Sequence, residues 1–365
     1  MNWTRRFLNC FVVALFMGSS FCQAQSPASA PGQGIASGDD PAQKRRTGKG
    51  AEGAATRPAK EKRGVKDAGE DDVTSAPTGP PPTYPNVSYG THERDVLDTW
   101  LVHSDRPTPV VIYFHGGGFK GGDKSIVMKY AIFKACLQNR VAIVSANYRL
   151  STDAPYPAPM LDGARAVQFV RWKAKEWNID PERVAVSGSS AGGALALWIA
   201  MHDDLADPKS TDLVARYSTR VSCVVGYVAA GSMEPEYITK YSGLEKPPST
   251  GINLLFGTTT IEGLSSPKVK ELVRDASAIN HLTKDDPPLW LTYSGRPEDA
   301  PFPKNAPKIT PTIMHHVCLG MPLKRKCDEL GIECRLYHQT APAPEGSELE
   351  FLRRYLIGEQ QGGQR

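Results

Sequence analysis

A serine stands at the centre of a glycine-flanked turn near the middle of the chain. Residues 188–192 read Gly-Ser-Ser-Ala-Gly, between a strand-like run at 183–187 and an apolar stretch at 193–198. This is the strand, turn and helix context of a nucleophile elbow, in which the central residue, Ser190, is held in a strained backbone conformation. The helix N-terminus behind it favours the negative charge that develops in acyl transfer. The pattern predicts Ser190 as a nucleophile, and the alternative is a glycine-rich turn that only packs a helix against a sheet.

A second glycine-rich segment follows the apolar run 110–114. Residues 115–118 read His-Gly-Gly-Gly, a pattern associated with the oxyanion hole of lipases and esterases. Consecutive glycines let backbone N–H groups turn toward a ligand, and these donors must lie about 3 Å from the oxyanion. We therefore predict that the N–H groups of Gly116, Gly117 and Ala191 form an oxyanion hole. The alternative is a flexible glycine loop.

The body of the chain alternates between predicted strands and predicted helices. Strands are expected at 110–114, 141–146, 184–187, 222–228, 289–293 and 333–337, and helices at 126–139, 159–177, 191–201, 317–330 and 347–356. Repeated β and α units with apolar strands predict a parallel sheet that is covered on both faces. The segment 231–283, rich in Gly, Pro and Thr, is expected to cover the pocket.

Four segments together resemble the α/β-hydrolase esterases of the hormone-sensitive-lipase and carboxylesterase type, and in particular bacterial feruloyl or acetyl-xylan esterases. They are residues 115–119, 146–150, 156–163 and 188–193. The resemblance extends over roughly residues 84 to 358. It implies an α/β-hydrolase fold, with an eight-stranded, mostly parallel sheet and helices on both faces. It also implies a Ser-His-acid triad in the chain order Ser, acid, His.

The resemblance places the catalytic acid just after the seventh strand, which here is 289–293. Asp299 is the preferred residue in that loop, Glu298 is second, and Glu234, after an earlier strand, is an outside candidate. A carboxylate there would orient the base that activates the serine. The alternative for all three is a solvated surface carboxylate.

The histidine is the weakest part of the pattern. The family normally carries it a few residues beyond the last strand, and this chain has no histidine at that place. His338, at the end of the last predicted strand, is the preferred base. His315 and His316, ahead of the helix 317–330, are the alternatives, and a third possibility is that the chain has no competent base.

These residues support two hypotheses about function. The first is an exported serine esterase that hydrolyses small carboxylic esters, either as small molecules or linked to polysaccharide. The second is a degenerate hydrolase that binds a ligand with little catalysis, because loss of the base lowers the rate by several orders of magnitude.

No cofactor is expected, and no Cys-x-x-Cys or His-x-x-x-His spacing indicates zinc. The net charge of +4 over 365 residues, without a basic cluster on one predicted element, does not suggest nucleic acid.

The ends of the chain differ from its middle. Residues 1–24 combine two arginines, an apolar stretch at 7–17 and small residues near 24, which predicts a secretory signal peptide with an apolar core too short for a stable membrane span. A signal anchor is the alternative. Residues 25–83, rich in Pro, Gly, Ala, Ser and charge, are expected to be a disordered linker. The hydrolase domain then covers 84–358, followed by a disordered tail at 359–365, and the protein is expected to be secreted or periplasmic.

Five cysteines follow the predicted signal peptide, and an odd number leaves at least one free thiol in an exported protein. Cys327 and Cys334 flank the end of a predicted helix and the start of a predicted strand, so they are the candidate pair. Their spacing does not decide whether the geometry of a disulfide is met.

Overall fold

The computed structural model describes residues 79–248, 251–303 and 313–358. The predicted signal peptide (1–24), most of the predicted linker (25–83) and the predicted tail (359–365) lie outside the described residues. Within the described ranges, no helix combines the length and the apolar character needed to cross a bilayer.

Eight strands of the described residues form one sheet in the order β1-β2-β4-β3-β5-β6-β7-β8. Strands β3 to β8 run parallel to one another, and the two antiparallel pairs, β1 with β2 and β2 with β4, lie toward one edge. This architecture confirms the predicted mostly parallel, eight-stranded sheet. The strands are β1 (Tyr84–Ser88), β2 (Val96–Trp100), β3 (Thr108–Phe114), β4 (Ala142–Ala146), β5 (Ile179–Ser189), β6 (Val224–Tyr227), β7 (Leu289–Thr292) and β8 (Cys334–Tyr337).

Helices connect the strands and cover the sheet. The α-helices are α1 (Ala131–Gln138), α2 (Ala158–Trp172), α3 (Ala174–Trp177), α4 (Ala191–Met201), α5 (Pro235–Ser242), α6 (Ile252–Leu255), α7 (Pro267–Asp275), α8 (Val317–Leu330) and α9 (Ser347–Leu352). Shorter 3-10 helices lie at Lys124–Lys129, Val214–Arg216, Glu262–Ser265, Ala278–Asn280 and Pro297–Asp299, and one π-helical turn lies at Arg353–Ile357.

The central strand β3 shows how the core is divided into two layers. All seven of its residues are buried, and alternate side chains point to opposite faces of a strand. Ile112 and its neighbours on one face belong to a cluster with the side chains of α2 and α4. Val111 and Tyr113, on the other face, pack with the side chains of α1 and α9. The continuous apolar run that predicted β3 therefore reflects burial on both faces.

The edge of the sheet was not predicted, because β1 and β2 lack a continuous apolar run. Four of the five residues of β1 are exposed, and β2 carries Asp98 and Thr99 at buried positions. The Asp98 carboxylate lies 3.1 Å from the Lys124 ammonium, so the buried charge has a partner. Strand β5 is also longer than the predicted strand at 184–187, since it begins at Ile179 and ends at Ser189.

The cysteines of the described residues are free thiols, and each is buried. The candidate pair Cys327 and Cys334 is therefore not joined by a disulfide here. Both side chains belong to the apolar cluster between α8 and the sheet.

Glu348 is a carboxyl group held between α9 and the sheet. Its Oε2 accepts a hydrogen bond of 2.5 Å from the Tyr227 hydroxyl, and its Oε1 is buried without a partner. Burial raises the pKa of Glu348 from its ordinary 4.5 to about 7. The folded protein therefore binds a proton that the unfolded chain releases between these two pH values.

We expect the wild type to become less stable as the pH rises, and we expect Glu348→Gln to lack this part of the pH dependence. The proton on Glu348 stabilises the folded state fully below about pH 4.5, and this contribution is lost as the pH rises through about 7. The free energy of unfolding of the wild type should fall by on the order of 3 kcal/mol across that range from this group alone. Urea denaturation at pH 5 and pH 8 measures the difference, with Glu345→Gln, on the exposed loop before α9, as the control. An unchanged pH dependence in Glu348→Gln would contradict the assignment.

Candidate active site

Ser190 occupies the turn between β5 and α4, as the sequence predicts. Its backbone has φ 51° and ψ −114°, a conformation that is strained for a residue with a side chain. Two hydrogen bonds hold it there: the Ser190 N–H donates to the Tyr227 carbonyl at 2.9 Å, and the Ser190 carbonyl accepts from the Ala194 N–H at 2.9 Å. The turn is therefore fixed from the neighbouring strand β6 and from the first turn of α4.

The two flanking glycines are required by close backbone contacts. A Cβ atom on Gly188 would lie 2.3 Å from the Gly192 carbonyl oxygen, and one on Gly192 would lie 2.0 Å from the Phe114 carbonyl oxygen. Neither position can hold a larger residue unless the backbone moves. The second contact also shows that α4 begins directly against the end of β3, so the elbow and the His-Gly-Gly-Gly segment meet.

The hydroxyl of Ser190 is hydrogen-bonded to His315. The distance from Ser190 Oγ to His315 Nε2 is 2.8 Å, which is the reach required of a general base. His315 lies just before α8, in the connection that follows β7. This connection returns to the end of β7, because the Ser294 N–H donates to the His315 carbonyl and the Val317 N–H donates to the Ser294 carbonyl, both at 2.9 Å. The carboxyl ends of β5 and β7 share one edge of the sheet, which brings the two side chains together.

This geometry corrects the placement predicted for the base. His338 follows β8 directly, but the chain folds back on itself there, since His338 and Ala341 exchange two backbone hydrogen bonds of 3.0 Å. The His338 ring nitrogen Nδ1 lies 3.2 Å from the Thr340 hydroxyl. The described contacts of His338 are thus with its own turn, and His315, considered as an alternative, meets Ser190 instead.

Asp299, the preferred acid, lies in the predicted loop and contacts Arg296 and His316. Its Oδ1 accepts from the Arg296 guanidinium at 2.7 Å, and its Oδ2 lies 3.7 Å from His316 Nε2. Hydrogen bonds from Arg296 lower the pKa of Asp299, so this carboxyl is ionised at neutral pH. The two other candidates have different partners: Glu298 lies 3.9 Å from Arg296, and Glu234 accepts from the Asn280 side chain at 3.0 Å.

His316 caps the helix α8, which follows His315 in the chain. Its Nδ1 accepts a hydrogen bond of 3.2 Å from the Cys318 N–H at the start of α8. In neutral imidazole the proton then resides on Nε2, which is the nitrogen nearest to Asp299. Burial lowers the pKa of His316, which favours this neutral form. His316 therefore anchors the backbone next to His315.

The predicted oxyanion segment packs against the elbow. A Cβ atom on Gly116 would lie 3.1 Å from the Ser189 carbonyl oxygen and 3.5 Å from Ser190 Cβ. Gly117 has φ 113°, a conformation that favours glycine, and its carbonyl accepts from the Lys120 N–H at 3.0 Å. The structure thus brings Gly116, Gly117 and the start of α4 to one place.

A buried histidine fixes the direction of this glycine segment. The Arg94 guanidinium, which can only donate, lies 3.2 Å from His115 Nε2, so Nε2 accepts and the ring proton is on Nδ1. Nδ1 then donates to the Gly116 carbonyl at 2.7 Å. Because the peptide group is planar and trans, the Gly117 N–H points away from that carbonyl. His115 therefore sets the orientation of one predicted oxyanion donor.

Burial lowers the pKa of His115 from its ordinary 6.5 to about 4, so the ring is neutral at physiological pH. Its ring also stacks on Tyr148 with centroids 4.4 Å apart. The sequence motif contained His115 but gave no signal for Arg94, which lies 21 residues earlier in the chain and meets the ring only in the fold.

Comparison with known proteins identifies the family of the chain. A family model with the description BD-FAE matches residues 97–302, which is more than half of the chain. The chain belongs to the BD-FAE family. The matched range contains the elbow, the His-Gly-Gly-Gly segment and Asp299, and it ends before His315. Membership confirms the predicted relationship to the α/β-hydrolase esterases.

Curated relatives of this BD-FAE family member include two esterases from Mycobacterium tuberculosis. Esterase LipI is 41% identical over 96 residues, which cover 25% of this chain and 28% of the relative. Esterase LipC is 26% identical over 214 residues, which cover 58% of this chain and 50% of the relative. The chain therefore spans half or less of the length of these relatives.

Solved structures show the same fold at low sequence identity. A truncated carbohydrate esterase from gut microbiota superposes with a TM-score of 0.61 at 21% identity, covering 78% of this chain and all of that one. An acetyl ester-xyloside bifunctional hydrolase from Caldicellulosiruptor lactoaceticus gives a TM-score of 0.55 at 22% identity, covering 77% of this chain and 95% of that one. The family member thus has the α/β-hydrolase fold.

We expect Gly192→Ala to destabilise the protein, although alanine is the better helix former. The added Cβ would meet the Phe114 carbonyl oxygen at 2.0 Å, and such overpacking costs about 1–3 kcal/mol. Chemical denaturation measures the change in the free energy of unfolding. Gly121→Ala, where a Cβ would have no atom within 4 Å, is the matched control. Equal stability of the two variants would show that α4 does not start in close contact with β3.

Proposed function

We propose that this BD-FAE family member is a serine hydrolase of small carboxylic esters, with Ser190 as the nucleophile and His315 as the general base. The observation that carries the proposal is the 2.8 Å contact between Ser190 Oγ and His315 Nε2, at an elbow whose backbone is strained. Nucleophile and base in hydrogen-bond contact are the signature of covalent acyl transfer. This contact also argues against the alternative of a ligand-binding relative without a base.

The reaction proceeds through two acyl transfers. Ser190 Oγ attacks the ester carbonyl carbon while His315 Nε2 accepts the hydroxyl proton, and the carbonyl oxygen becomes an oxyanion. The N–H groups of Gly116, Gly117 and Ala191 stabilise that charge. When the tetrahedral intermediate collapses, the ester C–O bond breaks and His315 returns the proton to the leaving alcohol. Water, deprotonated by the same base, then attacks the acyl carbon; the bond from that carbon to Ser190 Oγ breaks, the acid leaves, and His315 returns the proton to Ser190 Oγ.

Asp299 is the proposed acid of this site, and it acts on the segment that carries the base. Its Oδ2 lies 3.7 Å from His316 Nε2, and His316 caps α8 directly after His315. A negative charge at this point favours the positive charge that forms on the base during attack, and the contact keeps the segment in place. Asp299 is thus a positioning residue through His316.

The proposed substrates are acyl esters carried on carbohydrate, such as acetyl or feruloyl esters. Two of the structural neighbours are described as a carbohydrate esterase and as an acetyl ester-xyloside hydrolase, which supports this class. The segment 231–283 approaches the glycine-rich loop closely, because a Cβ on Gly251 would lie 2.6 Å from the Lys120 ammonium in that loop. The segment would therefore shape the pocket. The predicted signal peptide at 1–24 supports a role outside the cytoplasm, on polysaccharide that does not enter the cell.

We expect His315→Ala to lower kcat/KM for p-nitrophenyl acetate by about 10³-fold or more, since removal of a triad base leaves only the oxyanion hole and binding. His338→Ala, which alters a histidine held in its own turn, is the matched control and should retain near wild-type activity. Initial rates at pH 8 measure both. A large loss in His338→Ala with little loss in His315→Ala would reverse the assignment.

A fluorophosphonate probe should label Ser190 in the wild type, because such probes react with activated serine hydroxyls. Ser190→Ala should not be labelled, and His315→Ala should be labelled much more slowly. Ser189→Ala, at the adjacent serine, is the control and should retain labelling. Mass spectrometry of the modified peptide identifies the site, and label that persists in Ser190→Ala would contradict the proposed nucleophile.

Hydrolysis of carbohydrate esters should depend on Ser190. Acetate release from acetylated xylan and ferulate release from methyl ferulate, each compared with Ser190→Ala, distinguish the two acyl classes. Turnover of p-nitrophenyl acetate without release from either substrate would retain the esterase proposal but contradict the carbohydrate class.

A further inference from the structure

Three side chains from separate elements come together at the far end of α4. They are His202, which follows the last residue of α4, Asp275, the last residue of α7, and His281, which follows the 3-10 helix Ala278–Asn280. One potential ligand atom from each lies within 4.8 Å of the other two. Since Ser190 and His202 flank the 11 residues of α4, the cluster lies roughly 16 Å from the elbow along the helix. It is therefore outside the proposed catalytic site.

Both imidazoles keep one nitrogen free of a proton. His202 Nδ1 lies 3.0 Å from the Asp203 carbonyl oxygen, and His281 Nε2 lies 2.6 Å from the Asp275 carbonyl oxygen. A carbonyl only accepts, so these two nitrogens carry the ring protons. The lone pairs are then on Nε2 of His202 and Nδ1 of His281. Histidines that bind metal ions are typically held in this manner, with the second nitrogen donating to a carbonyl.

The Asp275 side chain and the His202 ring are also held by neighbouring residues. The Tyr156 hydroxyl donates to Asp275 Oδ2, and the Trp198 indole N–H donates to the Asp275 carbonyl at 3.0 Å. The Trp198 ring lies against the His202 ring with centroids 4.3 Å apart. Oδ1 of Asp275 lies 3.7 Å from His281 Nε2, the nitrogen that donates to the Asp275 carbonyl, so this distance shows that the two residues are adjacent and does not involve the free nitrogen. Outer contacts of this kind orient ligands around an ion.

The electrostatic setting favours a cation. The cluster lies at the C-terminus of α4, where the helix dipole is negative, and Asp275 adds a full negative charge. Arg220 is the nearby positive group, since its guanidinium lies 3.5 Å from the His202 carbonyl. Its charge is paired with Asp286 at 3.2 Å.

We propose that His202, Asp275 and His281 bind a divalent transition-metal ion, with zinc as the best match. Two imidazole nitrogens and one carboxylate oxygen are a borderline donor set that suits zinc and its neighbours, whereas calcium and magnesium prefer oxygen ligands. Ligand atoms around a tetrahedral zinc ion lie roughly 3.5 Å apart. The candidate ligand atoms lie within 4.8 Å of one another, so binding of the ion would draw them closer together. The fourth position is left to water.

The ion would join the end of α4 to the segment 231–283. His202 follows the buried helix α4, while Asp275 and His281 close the segment that is proposed to shape the pocket. An ion that binds the folded state and not the unfolded chain stabilises the protein in proportion to its affinity. The proposed role is therefore structural and does not involve the ester chemistry.

Cobalt(II) titration of the full chain, after removal of metal with a chelator, tests the proposal. We expect one ion per chain, with the visible absorption bands of a four-coordinate site, and a rise in Tm with zinc but not with magnesium. His202→Gln and His281→Gln should each weaken cobalt binding by at least about tenfold. His103→Gln, an exposed histidine elsewhere on the chain, is the matched control and should bind as the wild type does.

Asp275→Asn gives an independent measurement, because asparagine keeps the shape and the acceptor for Tyr156 while removing the charge. It should also weaken binding, and circular dichroism of each metal-free variant confirms that it is folded. The proposal is overturned if the wild type shows no saturable cobalt binding. It is equally overturned if binding persists unchanged in His202→Gln and His281→Gln, since the ion would then reside at another site.

Discussion

The close contact between the start of α4 and the end of β3 is the constraint on which the rest of the structure depends. Gly192 lies so near the Phe114 carbonyl that no side chain fits between them. This contact forces the chain to reverse within one residue, and Ser190 takes the strained conformation that results. The cooperative packing of the sheet and the buried helix α4 stabilises this conformation. The serine hydroxyl therefore projects at the edge where the strands β5 and β7 end.

The same edge explains how residues far apart in sequence meet. Parallel strands end on one side of a sheet, so the loops after β3, β5 and β7 converge there. The His-Gly-Gly-Gly segment arrives after β3, the serine after β5, and His315 by way of the long connection after β7. Each contributes one part, and each is held by contacts of its own: His115 with Arg94, Ser190 with β6, and His316 at the start of α8. The site is thus an assembly of separately anchored pieces.

The sequence predicted the parts of the fold that carry strong local signals. β3 and β4 are apolar because both faces are buried, and α4 and α8 were predicted with the bounds that the structure has. The strands β1 and β2 were missed, since the edge strand β1 is mostly exposed and β2 carries the polar residues Asp98 and Thr99. Similarly, the elbow was recognisable because Gly188 and Gly192 flank Ser190 within five residues, and both glycines are required by backbone contacts.

The contact between Ser190 and His315 was not the one preferred from the sequence, because it depends on the path of a loop. The family pattern places a histidine after the last strand, and His338 was nearest to that place. In the fold, the chain after β8 turns back at Ala341, while the connection after β7 returns to pair with Ser294. Nothing in the local sequence around His315 encodes that return. For the same reason the partners of Asp299 could not be read from spacing.

The buried His115 sets a lower limit of pH for the glycine-rich segment that it orients. Its ring accepts from Arg94 only while it is neutral, and burial lowers its pKa to about 4. Above about pH 6.5 its contribution to folding is complete, and it is lost as the pH falls through 4. Below that value the His115 ring would be positively charged and would repel the Arg94 guanidinium. This repulsion would oppose the ring position from which His115 donates to the Gly116 carbonyl. The orientation of the glycine-rich segment is consequently supported at neutral pH, and this support is lost in strong acid.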